Sequence, residues 1–222
     1  MISAKPLIKC CGFQDVQSIA YLESTDVDLV GFILAPSKRR VSLDKLPLLL
    51  EAVPTGKKKV GVFVNPSLEE LRSLLKEVTF DVIQLHGQET PAFCRALKQE
   101  FPVEIIKAVH IEADEQSSLP DQEYGACIDY LLLDTFDKQA AGGTGKTFRW
   151  EVIPAYQQWC VQYDVKLLVA GGITPENVGQ LIGEWPLDGV DVASGVETEG
   201  KKDKEKIMRL VERVKEYGSS AK

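Results

Sequence analysis

The sequence is poor in histidine, with only two among its 222 residues, His86 and His110. Imidazole is a principal ligand of transition metals, and two histidines cannot build a histidine-rich metal centre. For His86 we weigh a structural role against a catalytic one and retain it as a supporting residue, and we assign no role to His110. The sequence therefore predicts no metal site.

The chain also lacks the features of exported and membrane proteins. Its five cysteines are odd in number and irregularly spaced, and adjacent Cys10 and Cys11 could not easily bridge each other. No apolar run approaches the roughly 20 residues of a membrane-spanning helix. The opening residues, MISAKPLIKCCG, are too few and too polar for a signal peptide. We therefore expect a cytoplasmic protein with reduced thiols and no membrane partner.

Positive charge is in deficit, since the formal net charge is -7. Binding to a phosphate backbone needs a basic field, so nucleic acid is not expected as the main partner. The basic clusters at Lys38–Arg40 and Lys57–Lys59 are therefore interpreted as local features.

No linker of low complexity divides the chain, which is 44% hydrophobic and 27% charged, as globular proteins are. Short β-branched apolar runs alternate with amphipathic helical stretches, which is the pattern of a parallel sheet. The predicted strands are Leu7–Cys11, Asp28–Leu34, Lys59–Val64, Val82–Leu85, Val103–Ala108, Tyr130–Asp134, Lys166–Ala170 and Gly189–Ala193. The predicted helices are Asp15–Ser24, Ser42–Val53, Ser67–Val78, Thr90–Glu100, Trp150–Tyr163, Pro175–Ile182 and Lys202–Tyr217. Only the segment between His110 and Cys127 is a poor helix.

These units, of roughly 28 residues each, predict a single α/β domain over residues 1–222, a (β/α)8 TIM barrel. A doubly wound open sheet is the alternative. Its first strand is usually followed by a Gly-rich turn, whereas Gly12 stands alone here. In a barrel we expect the functional residues on the loops that follow the strands.

Three of these loops carry glycines that would let backbone N–H groups approach an anion. The loops contain GGTG from Gly142, AGGI with Gly171 and Gly172, and ASGV with Ser194 and Gly195. Barrels commonly hold phosphate on their last loops, so we predict a phosphate site. A nucleotide-binding P-loop in GGTGKT is a weak rival, because Ala140 stands where its first glycine would fall.

Strand alternation sorts the polar residues at the predicted barrel mouth. Cys11 and Asp134 end their strands, and a buried structural thiol is the alternative role for Cys11. Lys9 would lie in the lumen below Cys11 and favour its thiolate, and Asp191 could pair with Lys9. The loop Pro36–Arg40 offers an arginine fork for a carboxylate. Together these residues predict acid/base chemistry on a phosphorylated, carboxylate-bearing substrate.

Eight stretches, in this combination and order, resemble the phosphoribosylanthranilate isomerases of tryptophan biosynthesis. They are KCCG from Lys9, GFILAPSKRRV from Gly31, GVFVN from Gly61, QLHG from Gln84, LLLD ending at Asp134, GGTGKTFRW from Gly142, AGGI from Ala170 and VDVASGVE from Val190. The resemblance spans nearly the whole chain.

The resemblance implies a cofactor-free Amadori rearrangement of N-(5-phosphoribosyl)anthranilate to 1-(2-carboxyphenylamino)-1-deoxyribulose 5-phosphate. It implies that Asp134 is the general acid that opens the ribose ring. Cys11 would be the general base that takes the proton from the second sugar carbon, and Arg39 would hold the anthranilate carboxylate. The implied phosphate-binding residues are Gly143, Thr144, Gly172, Ser194 and Gly195. Apart from the resemblance, we predict Lys9, His86 and Asp191 as supporting residues of the site.

The chain departs from the family pattern at Cys10, where a hydrophobic residue is frequent, and at Arg149, where Asp is frequent. The histidine-pathway aldose-ketose isomerases form the nearest rival, but they use Asp as the base on strand 1, where this chain has Cys11. A barrel that only binds a phosphorylated ligand is the second rival. A monomer and a homodimer are both compatible with the sequence.

Overall fold

The computed structural model describes residues 5–112, 118–136 and 150–218. In this part of the chain eight parallel strands form a closed barrel in chain order, with the first strand paired to the last. The strands are β1 (Leu7–Cys11), β2 (Leu29–Ile33), β3 (Lys58–Phe63), β4 (Val82–Leu85), β5 (Glu104–Glu112), β6 (Tyr130–Phe136), β7 (Lys166–Val169) and β8 (Gly189–Val192). The predicted (β/α)8 barrel is confirmed.

Helices follow the strands around the barrel. They are α1 (Val16–Ala20), α2 (Leu46–Glu51), α3 (Leu68–Glu77), α4 (Pro91–Glu100), α5 (Ile153–Tyr163), α6 (Val178–Glu184) and α7 (Lys204–Gly218), with 3-10 helices at Gln122–Ala126 and Trp150–Val152. The start of α3 is determined by the local sequence, because Ser67 and Glu70 form a reciprocal capping box. Among the described helices none is long and apolar enough to cross a membrane.

Two strands run further than the sequence predicts. β5 continues past Ala108 to Glu112, and β6 continues past Asp134 to Phe136. The cause is tertiary pairing, because the ladder between them extends through His110 opposite Asp134 to the last residues of both strands. His110 therefore lies within a strand at the barrel mouth, not in a weak segment.

A short hairpin between β8 and α7 is a second difference. After a 3-10 turn, Ser194–Val196, strand β9 (Glu197–Thr198) pairs antiparallel with β10 (Lys201–Lys202). The predicted last helix would have begun inside this hairpin, whereas α7 begins at Lys204. The hairpin places Glu197 and Lys202 near the loop after β2.

Alternate residues of each strand pack on opposite sides, as predicted from the period of two. Ile8 and Cys10 belong to the large apolar layer between barrel and helices. A smaller cluster fills the lumen with one or two side chains from most strands: Leu29, Val60, Val82, Ile106, Ala108, Tyr130, Leu132, Leu168 and Ala170. The lumen is therefore a packed core, with a mouth only at the carboxyl ends of the strands.

Four aspartates close the opposite, amino-terminal end of the barrel. Each directly precedes an even-numbered strand, and its carboxylate accepts a backbone N–H from the preceding odd-numbered strand at 2.7 or 2.8 Å. The pairs are Asp28 with Ile8, Asp81 with Lys59, Asp129 with Ile105 and Asp188 with Leu167. Each aspartate carbonyl also accepts an N–H from the first residue of the next odd-numbered strand around the barrel. This ring supports the fold at the end away from the mouth.

Candidate active site

The carboxyl ends of the strands bring three predicted site residues to one face. Cys11 is the last residue of β1, Asp134 lies near the end of β6, and His86 directly follows β4. Two positions before Asp134, Leu132 lies in the lumen core, and two positions before His86, Gln84 is buried. Enzymes with this barrel place their chemistry at this end.

Two glycines make room around the Cys11 thiol. A side chain at Gly31, opposite Cys11 on β2, would lie 2.6 Å from the Cys11 sulfur. Gly12 has φ +87°, and a side chain there would lie 2.6 Å from Cδ of Arg39. Only glycine fits both places without displacing a neighbour, so Arg39 can pack directly beside the strand end that carries Cys11.

A buried ion pair lies next to Cys11 in the lumen. Lys9 Nζ donates to Asp191 Oδ2 at 2.7 Å, and the two side chains are only 0% and 8% exposed. The residues are register partners in β1 and β8, so the predicted pair is confirmed. Burial alone would lower the pKa of Lys9, but the charges of Asp191 and Cys11 raise it. Lys9 therefore keeps its positive charge at the base of the site.

The two adjacent thiols have different surroundings. Burial raises the pKa of Cys11, and the Lys9 ammonium offsets only part of this shift while Asp191 adds to it. Lys9 lowers the pKa of Cys11, which is the predicted direction. Desolvation is the larger effect, so the net pKa is raised and the protonated thiol is favoured. Burial also raises the pKa of Cys10, to about 12, in the helix layer. Cys10 is not free of cations as expected, since the charge of Lys202 acts on it.

Replacing Lys9 with methionine should raise the pH at which Cys11 reacts with iodoacetamide, because burial and Asp191 would then oppose the thiolate without a nearby cation. The variant leaves Asp191 buried without its partner, which costs about 3–5 kcal/mol of stability. A Lys9→Met/Asp191→Asn double variant avoids that unpaired charge and should show a smaller upward shift. Labelling rates across pH, with the modified cysteine identified by peptide mass spectrometry, measure both shifts. An unchanged reactive pH in Lys9→Met would remove Lys9 from this role.

Asp134 stands beside the imidazole of His86, whose other ring nitrogen contacts Gln84. Nε2 of His86 lies 3.2 Å from Asp134 Oδ2, and both side chains are partly exposed. Gln84 Nε2 donates to Nδ1 of His86 at 2.9 Å. In this orientation of the amide Nδ1 accepts, and Nε2 can then present an N–H to the carboxylate. The arrangement gives His86 a supporting position next to the candidate acid.

Arg39 is held by a carboxylate of the protein. Its Nε and Nη2 donate to the two oxygens of Glu197 at 2.8 and 2.7 Å, and Lys202 Nζ donates to Glu197 Oε1 at 2.8 Å. Burial would raise the pKa of Glu197, but the bonds from Arg39 and the charge of Lys202 hold it below its usual value. The arginine fork is thus fixed in place by an ionised partner. Glu197 was not singled out from the sequence.

A further buried ion pair, also not anticipated, fixes the loop after β4. Lys107 Nζ donates to Glu89 Oε2 at 2.9 Å and to the carbonyl of Gly87 at 2.6 Å. Glu89 in turn accepts the backbone N–H groups of Asn65 and Gly87. Because Gly87 directly follows His86, this pair holds the backbone next to the imidazole. The sequence did contain a signal for this pair, because Lys107 stands inside the apolar run IIKAV, where a buried ammonium needs a partner.

The loops after β7 and β8 are in backbone contact. A side chain at Gly195 would lie 1.8 Å from the carbonyl oxygen of Ile173, so these loops approach as only glycine permits. Gly172 has φ +63°, and its carbonyl accepts Nδ2 of Asn177 at 2.9 Å. The structure thus brings the loop that carries Gly172 against the loop that carries Ser194 and Gly195. Three other predictions fall outside the described residues. They are the glycine loop with its phosphate-binding residues, the rival P-loop in the same stretch, and the family departure at Arg149. The positions concerned are Ala140, Gly142, Gly143, Thr144, Gly145, Lys146 and Arg149.

A closed (β/α)8 barrel with a thiol, a carboxylate and paired glycine loops at its mouth is typical of the barrel enzymes that carry their site on the loops after the strands. Within that class, the model of the family described as N-(5'phosphoribosyl)anthranilate (PRA) isomerase matches residues 8–213. The chain belongs to this family.

Individual relatives agree with the family match. The chain is 47% identical over 210 residues to the N-(5'-phosphoribosyl)anthranilate isomerase of Brevibacillus brevis, covering 95% of this chain and 94% of that protein. Monomers of the dimeric enzyme from Thermotoga maritima superpose with a TM-score of 0.75 at 28% identity, over 95% of this chain and 99% of theirs. A phosphoribosyl anthranilate isomerase in complex with reduced 1-(o-carboxyphenylamino)-1-deoxyribulose 5-phosphate gives a TM-score of 0.74 at 29% identity, with the same coverage.

Proposed function

We propose that the chain catalyses the Amadori rearrangement of N-(5'-phosphoribosyl)anthranilate to 1-(2-carboxyphenylamino)-1-deoxyribulose 5-phosphate, with Asp134 as general acid and Cys11 as general base. The observation that carries the proposal is the presence of both groups at the mouth of a barrel that matches the family over residues 8–213. The substrate is a small phosphorylated molecule, and no cofactor is required because the rearrangement moves only protons and electron pairs.

In the first step Asp134 gives its proton to the ribose ring oxygen. The bond between that oxygen and the first sugar carbon breaks, and the anthranilate nitrogen donates its electron pair to form a carbon–nitrogen double bond. The product is an open-chain, positively charged Schiff base. Asp134 ends as a carboxylate beside Nε2 of His86, 3.2 Å away, whose N–H stabilises the negative charge.

In the second step Cys11 takes the proton from the second sugar carbon. The electron pair of the broken carbon–hydrogen bond forms a double bond between the first and second sugar carbons. The electron pair of the carbon–nitrogen double bond moves to the nitrogen, which becomes neutral in the resulting enolamine. One proton has left Asp134 and one has reached Cys11, and the enolamine then tautomerises to the ketone. Burial raises the pKa of Cys11, but the Schiff base brings a positive charge next to it in addition to Lys9. The thiolate is therefore favoured once the ring has opened.

Arg39 would bind the carboxylate of the anthranilate ring. A guanidinium carries five N–H donors, and Glu197 binds the edge formed by Nε and Nη2. We assign the Nη1 side to the substrate. Because Glu197 fixes the plane of the guanidinium, this side is oriented before substrate arrives, which lowers the entropy cost of binding.

Arg39→Ala is expected to raise KM by roughly 10–100-fold, the effect of losing a charge-assisted hydrogen bond of about 1.5–3 kcal/mol. Arg39→Lys should recover only part of this loss because lysine lacks the planar fork. Arg40→Ala is the matched control, since Arg40 is the exposed neighbour in the same loop. Steady-state kinetics of the three variants decide the assignment. A raised KM in Arg40→Ala, with Arg39→Ala unchanged, would move the carboxylate site by one residue.

The phosphate would bind to the loops that carry Gly143, Thr144, Gly172, Ser194 and Gly195. The contact between the loops after β7 and β8 supports this assignment, because it directs two glycine-rich backbones to one place. We further propose a single domain over residues 1–222 in the cytoplasm. A homodimer is a candidate state beside the monomer, since the compared enzyme of Thermotoga maritima is dimeric.

Turnover of freshly made N-(5'-phosphoribosyl)anthranilate, followed as the loss of its fluorescence, tests the proposed function. Enzymatic loss that depends on Asp134 supports it. Turnover only of a histidine-pathway aminoaldose substrate would favour the rival isomerase class. Binding of the phosphorylated substrate without turnover would favour a non-catalytic barrel, and nucleotide hydrolysis would favour a P-loop ATPase.

A further inference from the structure

We propose that His86, His110 and Asp134 together form a binding site for a divalent transition-metal ion of the zinc type, and that the bound ion inhibits the enzyme. The metal site itself rests on the geometry of these three side chains. Only the inhibition rests on the proposed function, because it requires that Asp134 serve as the general acid.

The chain's two histidines meet at one carboxylate. One ligand atom from each of the three residues can be chosen so that all lie within 4.8 Å of one another. The imidazole rings of His86 and His110 are in edge contact, with their centroids 5.0 Å apart. The expectation that two histidines could not build a metal site omitted the carboxylate that completes the set.

One pair of ligand atoms already has the spacing of a metal site. Nε2 of His86 and Oδ2 of Asp134 are 3.2 Å apart. In a tetrahedral zinc site with bonds of about 2.0–2.1 Å, neighbouring ligand atoms are roughly 3.3 Å apart. Nε2 of His110 lies 3.4 Å from the carbonyl oxygen of His86, and a rotation of the side chain would exchange this contact for the ion.

Gln84 supplies the outer support that a metal-bound imidazole needs. A ligating His86 would carry its proton on Nδ1, which must donate to an acceptor. Gln84 lies next to Nδ1 and is 2% exposed, and its Oε1 has no hydrogen-bond partner within the described ranges. Rotation of the amide by half a turn would present this oxygen to Nδ1. The same rotation frees the lone pair of Nε2 for the ion.

The charge state of the site also suits a cation. The nearby Lys107 ammonium is paired with Glu89 at 2.9 Å, which offsets its repulsion. Two imidazoles, one carboxylate and an open position match zinc, cobalt and nickel better than magnesium or calcium.

Binding is tested directly with the full chain after dialysis against a chelator. Titration with zinc chloride in a calorimeter should show one ion per chain, and cobalt chloride should give the visible absorption of a four-coordinate nitrogen–oxygen site. His110→Gln should weaken both signals at least about tenfold, and Gln84→Met should weaken them by about 10–100-fold through loss of the outer support. Glu123→Gln, which removes an exposed carboxylate outside the cluster, is the control and should bind as the parent does.

Activity gives the second measurement. His110→Gln should retain the parent turnover, while the zinc concentration that halves turnover should rise at least about tenfold with the loss of a ligand. Zinc binding that is equal in the parent and His110→Gln, or a cobalt spectrum dominated by thiolate, would overturn the metal site. Binding that depends on His110 without any inhibition would uphold the metal site and instead remove Asp134 from its role as the acid.

Discussion

Replacement of Asp134 by asparagine is expected to lower kcat by about 10²–10⁴-fold, the usual contribution of a general acid or base. The amide keeps the shape of the carboxylate and can still accept from His86, but it cannot deliver a proton to the ring oxygen. The side chain is 26% exposed, so the barrel should tolerate the change without a large loss of stability. Fluorescence-monitored turnover and thermal unfolding of the same preparation measure the two effects separately.

Asp129, next to the start of the strand that carries Asp134, offers a matched control. It lies just before β6, at the opposite end from the mouth, where it accepts the Ile105 N–H at 2.7 Å and pairs with Lys98. Asp129→Asn should lower the unfolding temperature and leave kcat near the parent value, the reverse of Asp134→Asn. Near-parental turnover in Asp134→Asn would exclude Asp134 as the acid, whatever the control shows.

The sequence predicts the barrel and the register of its first strand because both depend on local patterning. β1 and β4 have the predicted bounds, and Cys10 packs in the helix layer as alternation requires. The ion pair of Lys9 with Asp191 also follows, since closure of the barrel makes β8 the neighbour of β1. These features follow from the two-residue period of the strands and from the closure of the barrel, and both can be read from a single sequence.

Other features depend on contacts that no local pattern contains. The extension of β5 through His110 arises from pairing with β6, and the Arg39 fork meets a glutamate 158 residues away. The net pKa of Cys11 required the depth of burial as well as the nearby charge. One missed feature did have a signal: an aspartate stands directly before each even-numbered strand, and this repeat marks the ring that closes the amino-terminal end.

Replacement of Cys11 by alanine is expected to lower kcat by about 10²–10⁴-fold, because no other group would take the proton from the second sugar carbon. Cys11→Ser should be nearly as inactive, since a hydroxyl of similar shape ionises far less readily than a thiol. Cys10→Ala is the matched control and should keep most of the activity, because Cys10 packs in the helix layer with a pKa of about 12. Kinetics of the three variants, checked by thermal unfolding, give the comparison.

The pH dependence of the parent enzyme provides an independent test of the same base. A general base acts when deprotonated, and burial raises the pKa of Cys11, so kcat/KM should rise with pH through an alkaline limb. Cys11→Ala should lose that limb, whereas Cys10→Ala should keep it at the same pH. Lys9→Met should move the limb upward, because it removes the cation that favours the thiolate. If the limb persisted in Cys11→Ala and disappeared in Cys10→Ala, the base would be Cys10, and the strand would have to present the other thiol to the mouth.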